Sequence, residues 1–210
     1  KVFHPKAKWV FHIQDLQVDA AKELHLIKNK SLLSILTKME LYWLKKADYV
    51  SSISLGMKKR ILEKGVSEDR YIMLPNWAET DIIAPIPKEA SMRSELNIDV
   101  AKKVILYSGN LGEKQGVEII IDVADAFKNQ PNVLFVIAGA GAAKTKLIQY
   151  AQSKNISNVL FLDLQPYAKL AAFLAIADIH LVLQKKSAAD LVLPSKFMSI
   201  LSAGGVSLVT

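Results

Sequence analysis

The residues best suited to chemistry sit where short apolar runs give way to longer periodic ones. In SGNLGEKQG, Gly109 and Gly112 permit close backbone approach, Gly116 opens a helical pattern, and Lys114 adds a full positive charge. Free N–H groups at a helix start, the helix dipole and a cation together suit a phosphate or diphosphate. A charge-assisted hydrogen bond there contributes roughly 1.5–3 kcal/mol. The alternative is an ordinary tight turn with a solvated lysine. In QKKSAADLVLPSK (184–196), Ser195 is an N-cap candidate and Lys196 falls in the first turn of a helix. A cation there opposes the dipole, so a nearby anion competes with the reading of an exposed lysine of no consequence. In HIQDLQVD, His12 and Gln14 share one face at a strand end, because strand side chains alternate, and Asp15 follows them. A hydrogen-bonded core histidine is the competing reading of His12.

A further turn, AGAGAAK (138–144), resembles the dinucleotide fingerprint, with Asp163 at the end of the next strand placed to hold a ribose. Lys144 stands where that fingerprint has Gly or Ala, and the preceding strand reads as the second of its domain. A glycine-lined wall for another nucleotide ligand is therefore favoured over a nicotinamide site. No G-x-S-x-G elbow or Walker sequence occurs. His4, His25 and His180 show no metal-ligand spacing, and there is no cysteine, so no metal site and no disulfide is expected.

The 210 residues carry 27 Lys+Arg against 20 Asp+Glu, a net charge of +7. This suits a nucleotide phosphate, a phospholipid surface or nucleic acid, and equally serves solubility. Nucleic acid is the weakest of these, since the lysines are scattered and no reader motif is present. Lys38, Lys45, Lys46, Lys58, Lys59, Arg60 and Lys64 accompany Tyr42 and Trp43. That face suits a peripheral contact with an anionic membrane, or a solvated helix with its aromatics in the core. The lack of cysteine fits a cytosolic setting, no apolar run reaches spanning length and no signal peptide is visible. The chain opens on Lys1 and its last apolar run, VSLVT, stops without an exit turn, which suggests a piece of a longer protein.

The elements that must position these residues follow from periodicity. Strands are expected at 9–13, 48–54, 71–74, 103–108, 133–139, 158–164, 178–184 and 206–210. Helices are expected at 31–47, 55–65, 89–96, 116–129, 142–154, 167–177 and 196–204. Strands alternating with helices, and apolar almost throughout, imply an α/β fold with parallel sheets covered on both faces. IIAPIP (82–87), with its two prolines, is the boundary candidate. Two Rossmann-like domains result, an incomplete one over 1–86 and a second over 87–210. Ligands in such sheets sit beyond the C-terminal strand ends, where the turns described above lie.

WVFHIQDLQVDAA, ADYVSSISLGM, LPNWAETDIIAP, LYSGNLGEKQG, NVLFLDLQP, ADIHLVLQ and AADLVLPSKFMSILSAGG, in this order, resemble the family 4 retaining glycosyltransferases of the GT-B fold, and within them the colanic-acid-type exopolysaccharide enzymes. The resemblance implies a UDP-sugar or GDP-sugar donor held by the second domain and a saccharide or lipid-linked acceptor on the first. It implies no cofactor, and a place in the cytoplasm or at the inner face of the cell membrane. By position, Gly109, Asn110, Gly112, Gln115 and Gly116 would underlie the donor diphosphate. Relatives carry arginine and lysine at the positions of Asn110 and Gln115, so Lys114 would supply the charge. Gly139 and Gly141 would border the donor, Leu164 and Gln165 would lie near the base, and Asp190 through Lys196, Ser195 included, would face the sugar and phosphates. Relatives also carry two glutamates where this chain has Leu191 and Ser199, with Asp190 a stand-in for the first. Many have a histidine at Gln14, where this chain offers His12 two residues back. The alternatives are an NAD-dependent oxidoreductase using AGAGAAK, and a non-catalytic nucleotide-sugar-binding module.

Overall fold

The computed structural model describes residues 4, 6–23, 25, 27–112, 115–183 and 195–210. The chain divides into two compact units, one ending at Asn76 and the other beginning at Trp77. The expected boundary at 86–87 falls inside the second unit. Ile83 is buried in that unit's core with Ile200, and its carbonyl accepts a hydrogen bond from the Ser202 hydroxyl, so IIAPIP packs as part of the domain.

In the first unit, β1 (Val10–Ile13), β2 (Tyr49–Ser52) and β3 (Tyr71–Met73) form a parallel sheet in the order β1-β2-β3. Three helices connect them: α1 (Gln17–Glu23), α2 (Lys30–Lys46) and α3 (Leu55–Glu63). Leu16, Leu44, Val50, Met57 and Ile61 make the core. Asn29 caps α2 by accepting from the Ser31 and Leu32 N–H groups, and Ser54 caps α3 by accepting from Met57. The far end of α2 is closed by Arg70, which donates to the carbonyls of Leu44, Lys45 and Ala47. Lys64 ties all three helices through Asp19 at 2.7 Å and Glu40 at 2.5 Å. The helix α1 was not expected: QVDAAKE is too short to show two turns of apolar periodicity.

In the second unit, β4 (Lys103–Ser108), β5 (Val133–Ala138), β6 (Val159–Leu162), β7 (Ile179–Val182) and β8 (Ser207–Val209) form a wholly parallel sheet. The order is β6-β5-β4-β7-β8. Around it lie α4 (Glu118–Ala126), α5 (Lys144–Ser153), α6 (Leu170–Leu174) and α7 (Lys196–Ser202). Alternate strand residues feed two cores. Val104, Leu106, Val136 and Ala138 join one, while Tyr107, Phe135 and Ile137 join the other. Both faces are thus apolar, as the unbroken hydrophobic runs require. The chain builds outward from β4 to β6, then returns to place β7 on the other side of β4. That reversal opens a crevice beyond the C-terminal ends of β4 and β7.

The helix expected at 89–96 is absent. Lys88–Ala90 make a single 3-10 turn, and turns follow. The reason is Arg93, whose side chain is buried and donates to the carbonyls of Ile176, Asp99, Val100 and Lys102 and to Asp178. A helix carrying Arg93 outward would take the guanidinium away from those carbonyls and from Asp178.

Candidate functional site

The crevice at the β4–β7 reversal gathers most of the residues singled out in the sequence. The segment after β4 extends the ladder toward β5: the Gly109 N–H donates to Ala138 O and the Leu111 N–H to Ala140 O, each at 2.9 Å. The next turn answers, with the Ala143 N–H donating to Leu111 O at 2.9 Å. Glycines 139 and 141 exist for this contact. A Cβ on Gly139 would lie 1.9 Å from Gly109 O, and one on Gly141 would lie 2.5 Å from Leu111 O. The backbone after β4 therefore packs directly against both glycines. Asp163, the expected ribose ligand of that reading, is paired with Lys144 at 2.5 Å, and this hydrogen bond holds its carboxyl below the usual range. Neither observation adds support to the nicotinamide reading of AGAGAAK. Gly139→Ala is expected to lower stability by roughly 1–3 kcal/mol, because the β4 loop must move to admit the methyl group. Chemical denaturation of the variant checks this; an unchanged midpoint would mean the two loops separate freely.

Gly112 is closely covered by its neighbours, a Cβ there meeting Gln115 Oε1 at 2.9 Å and Asn110 Nδ2 at 3.6 Å. Gln115 Oε1 is buried and has no hydrogen-bond donor among the described residues. Gly116 takes φ +65°, a left-handed turn just before α4, which starts without a side-chain cap. Asn110 is exposed, and its carbonyl accepts the Tyr107 hydroxyl at 2.8 Å.

From the β7 side, α7 brings Lys196 into the same crevice. Its Nζ lies 4.0 Å from the centre of the Tyr107 ring and 3.0 Å from where a Gly109 Cβ would be. Burial pulls the Lys196 ammonium down to about 8, and burial pushes the Tyr107 phenol up to about 12. Among the described residues no carboxylate lies within salt-bridge distance of Lys196. The expected N-cap is not observed: Ser195 has helical φ −57° and ψ −32° and makes no capping bond, leaving its hydroxyl exposed. Ser199 lies one turn further along α7, half-buried. Lys114, Asp190 and Leu191 lie outside the described residues.

Leu164 and Gln165 follow β6, separated from β4 by the width of β5. Leu164 is 60% exposed, and Gln165 donates to Asp163 O at 3.0 Å. In the first unit, His12 Nδ1 and Ser51 Oγ are 2.8 Å apart across the β1–β2 pair. Gln14 Nε2 approaches His12 Nε2 at 3.5 Å, so the expected shared face holds. Asp15 is exposed beside them. The residue that sequence reasoning missed is Tyr107. Its signal was a phenol at the end of an otherwise aliphatic strand, where a buried hydroxyl must find a partner.

Residues 88–189 match the family model "Glycosyl transferases group 1". That match covers just under half of the chain. Along 97% of its length the chain is 41% identical to WcaI of Escherichia coli (strain K12), a protein named for glycosyl transfer in colanic acid biosynthesis, of which it covers 51%. Anabaena HepE, solved with UDP-glucose, superposes on 99% of this chain and 54% of its own with a TM-score of 0.75 at 15% identity. WaaG, a glycosyltransferase involved in lipopolysaccharide biosynthesis, superposes on 99% of this chain and 60% of its own with a TM-score of 0.69 at 16% identity. These likenesses show the GT-B fold, and the family match runs from before β4 to just past β7. The chain spans about half the length of the curated relatives it matches.

Proposed function

We propose that the whole protein is a glycosyltransferase of exopolysaccharide biosynthesis, moving a sugar from a UDP- or GDP-sugar to a saccharide or lipid-linked saccharide acceptor with retention of configuration. The observation that carries this reading is Lys196, a half-buried lysine with no carboxylate partner among the described residues, set against the glycine turn at the β4–β7 crevice. The similarity to WcaI supports the exopolysaccharide setting, and the UDP-glucose bound by HepE supports the donor class.

The glycine turn and Lys196 hold the diphosphate and stabilise the charge it gains as the sugar leaves, with Lys114 as a second cation. Gly116 and the start of α4 add N–H donors, and Ser195 adds a hydroxyl at the start of α7. Leu164 supplies an exposed apolar surface for the base. As the resemblance to the retaining glycosyltransferases implies, an oxygen of the leaving phosphate takes the acceptor's proton. His12, Gln14 and Asp15 belong to the acceptor side. The protein works in the cytoplasm, at the inner membrane face. On α2, Ile35, Met39, Tyr42 and Trp43 are exposed around a shallow groove with Lys38, an amphipathic face suited to a peripheral contact with anionic lipid. No helix among the described residues is long and apolar enough to cross a membrane.

Calorimetric titration of the full-length protein with UDP, GDP, their sugar conjugates and NAD tests the reading. Saturable binding of one nucleoside diphosphate is expected, with transfer of the matching sugar. Binding of NAD alone, or of no nucleotide, would overturn it.

A further inference from the structure

Tyr107 is fully buried at the end of β4, yet both of its chemical parts are engaged at the crevice. Its hydroxyl donates to Asn110 O at 2.8 Å, and its ring face lies 4.0 Å from the Lys196 ammonium. A desolvated ammonium needs compensation. A carboxylate would supply it but would also neutralise the charge and compete with an incoming anion. An aromatic face attracts the cation through its quadrupole and adds no opposite charge of its own. Gly109 completes the seat, because any side chain there would press on Nζ from 3.0 Å.

We propose that Tyr107 is the positioning residue of this anion site: its ring seats the Lys196 ammonium while its hydroxyl pins the glycine turn at Asn110. Cation and turn are thereby presented together, in one fixed relation, before a ligand arrives. This rests on the diphosphate reading above, and the two can fail separately.

The test uses the full-length protein, titrated with UDP and GDP at fixed pH and salt. Position 107 carries phenylalanine, then phenylalanine with one, two and three ring fluorines, which drain the ring face of electron density at nearly constant shape. Affinity is expected to fall stepwise, by roughly three- to thirtyfold across the series. In the Lys196→Ala background the same series is expected to be flat, because no cation remains to feel the ring. A ring with a merely structural role would give a flat series in both backgrounds, and that result overturns the seat. Tyr107→Phe itself is expected to weaken binding severalfold in both backgrounds, since the hydroxyl acts through Asn110; no change there overturns the pin. If Lys196→Ala alone leaves UDP and GDP affinity unchanged, the diphosphate reading has failed and the Tyr107 proposal falls with it.

Discussion

Lys196→Ala in the full-length protein is expected to slow sugar transfer by about a hundred- to a thousandfold while leaving the unfolding midpoint nearly unchanged. Losses of that size follow removal of one fixed donor from a site where charge develops in the transition state. The side chain lies at the crevice, against Tyr107 and Gly109, and makes no ion pair among the described residues that its loss would break. Lys196→Arg is expected to rescue poorly, since a planar guanidinium does not fit the place of a compact ammonium between a ring and a glycine. The pH dependence carries the same signature. Burial pulls the Lys196 ammonium down to about 8, so the cation is present below that pH and is lost above it. Diphosphate affinity should therefore fall as pH rises through about 8, and that limb should be missing in Lys196→Ala. Near-normal turnover of the alanine variant, measured with the donor that titration identifies, would remove Lys196 from the reaction.

The largest effect on stability is expected at Arg93. Its guanidinium donates to Asp178 at 2.9 Å, to Ile176 O at 2.9 Å and to Lys102 O at 3.0 Å, and its side chain is 2% exposed. Asp178 also accepts from Lys88 and from the Val104 N–H, so one carboxylate anchors the 88–102 segment to the start of β4. Arg93→Ala removes one of that carboxylate's three donors and the guanidinium donor of several carbonyls, at a cost of about 3–5 kcal/mol. Burial alone would push the Asp178 carboxyl up, but the hydrogen bonds from Lys88, Val104 and Arg93 outweigh it and leave it below the usual range. The sign follows. Asp178 contributes stability above its unfolded pKa of about 3.9, and the contribution is lost as pH falls through the lower folded value. Denaturant titrations across that range should show a shallower acid slope in Asp178→Asn than in the wild type. A loss of under 1 kcal/mol in Arg93→Ala would mean water replaces the guanidinium, and the segment is not held as described.

Much of the second unit was legible from local pattern. KVILYS and VLFVIA are β-branched and apolar on both faces, and each forms the strand expected of it. The glycines after them marked turns, and the parallel arrangement followed from helices recurring between strands. The sequence also located the crevice loops, because an open parallel sheet places its ligand turns at the C-terminal strand ends. Cation and glycines could be named there without any knowledge of which turns meet. The failures have a common cause. QVDAAKE is too short to show a period, and EASMRSEL looks helical until Arg93 finds its acceptors. Those acceptors are set by the path of distant chain, which no local window contains.

Residue types and spacing by themselves determined the α/β class, the strands and the turns able to carry an anion. Only the tertiary structure decided the order β6-β5-β4-β7-β8, and with it the meeting of Lys196 with the Tyr107 ring and with Gly109. It also decided that Gly139 and Gly141 face the backbone of a neighbouring turn. Periodicity records which face of an element is buried. It does not record which strand lies next to which, because that choice is made by packing between segments far apart in the chain.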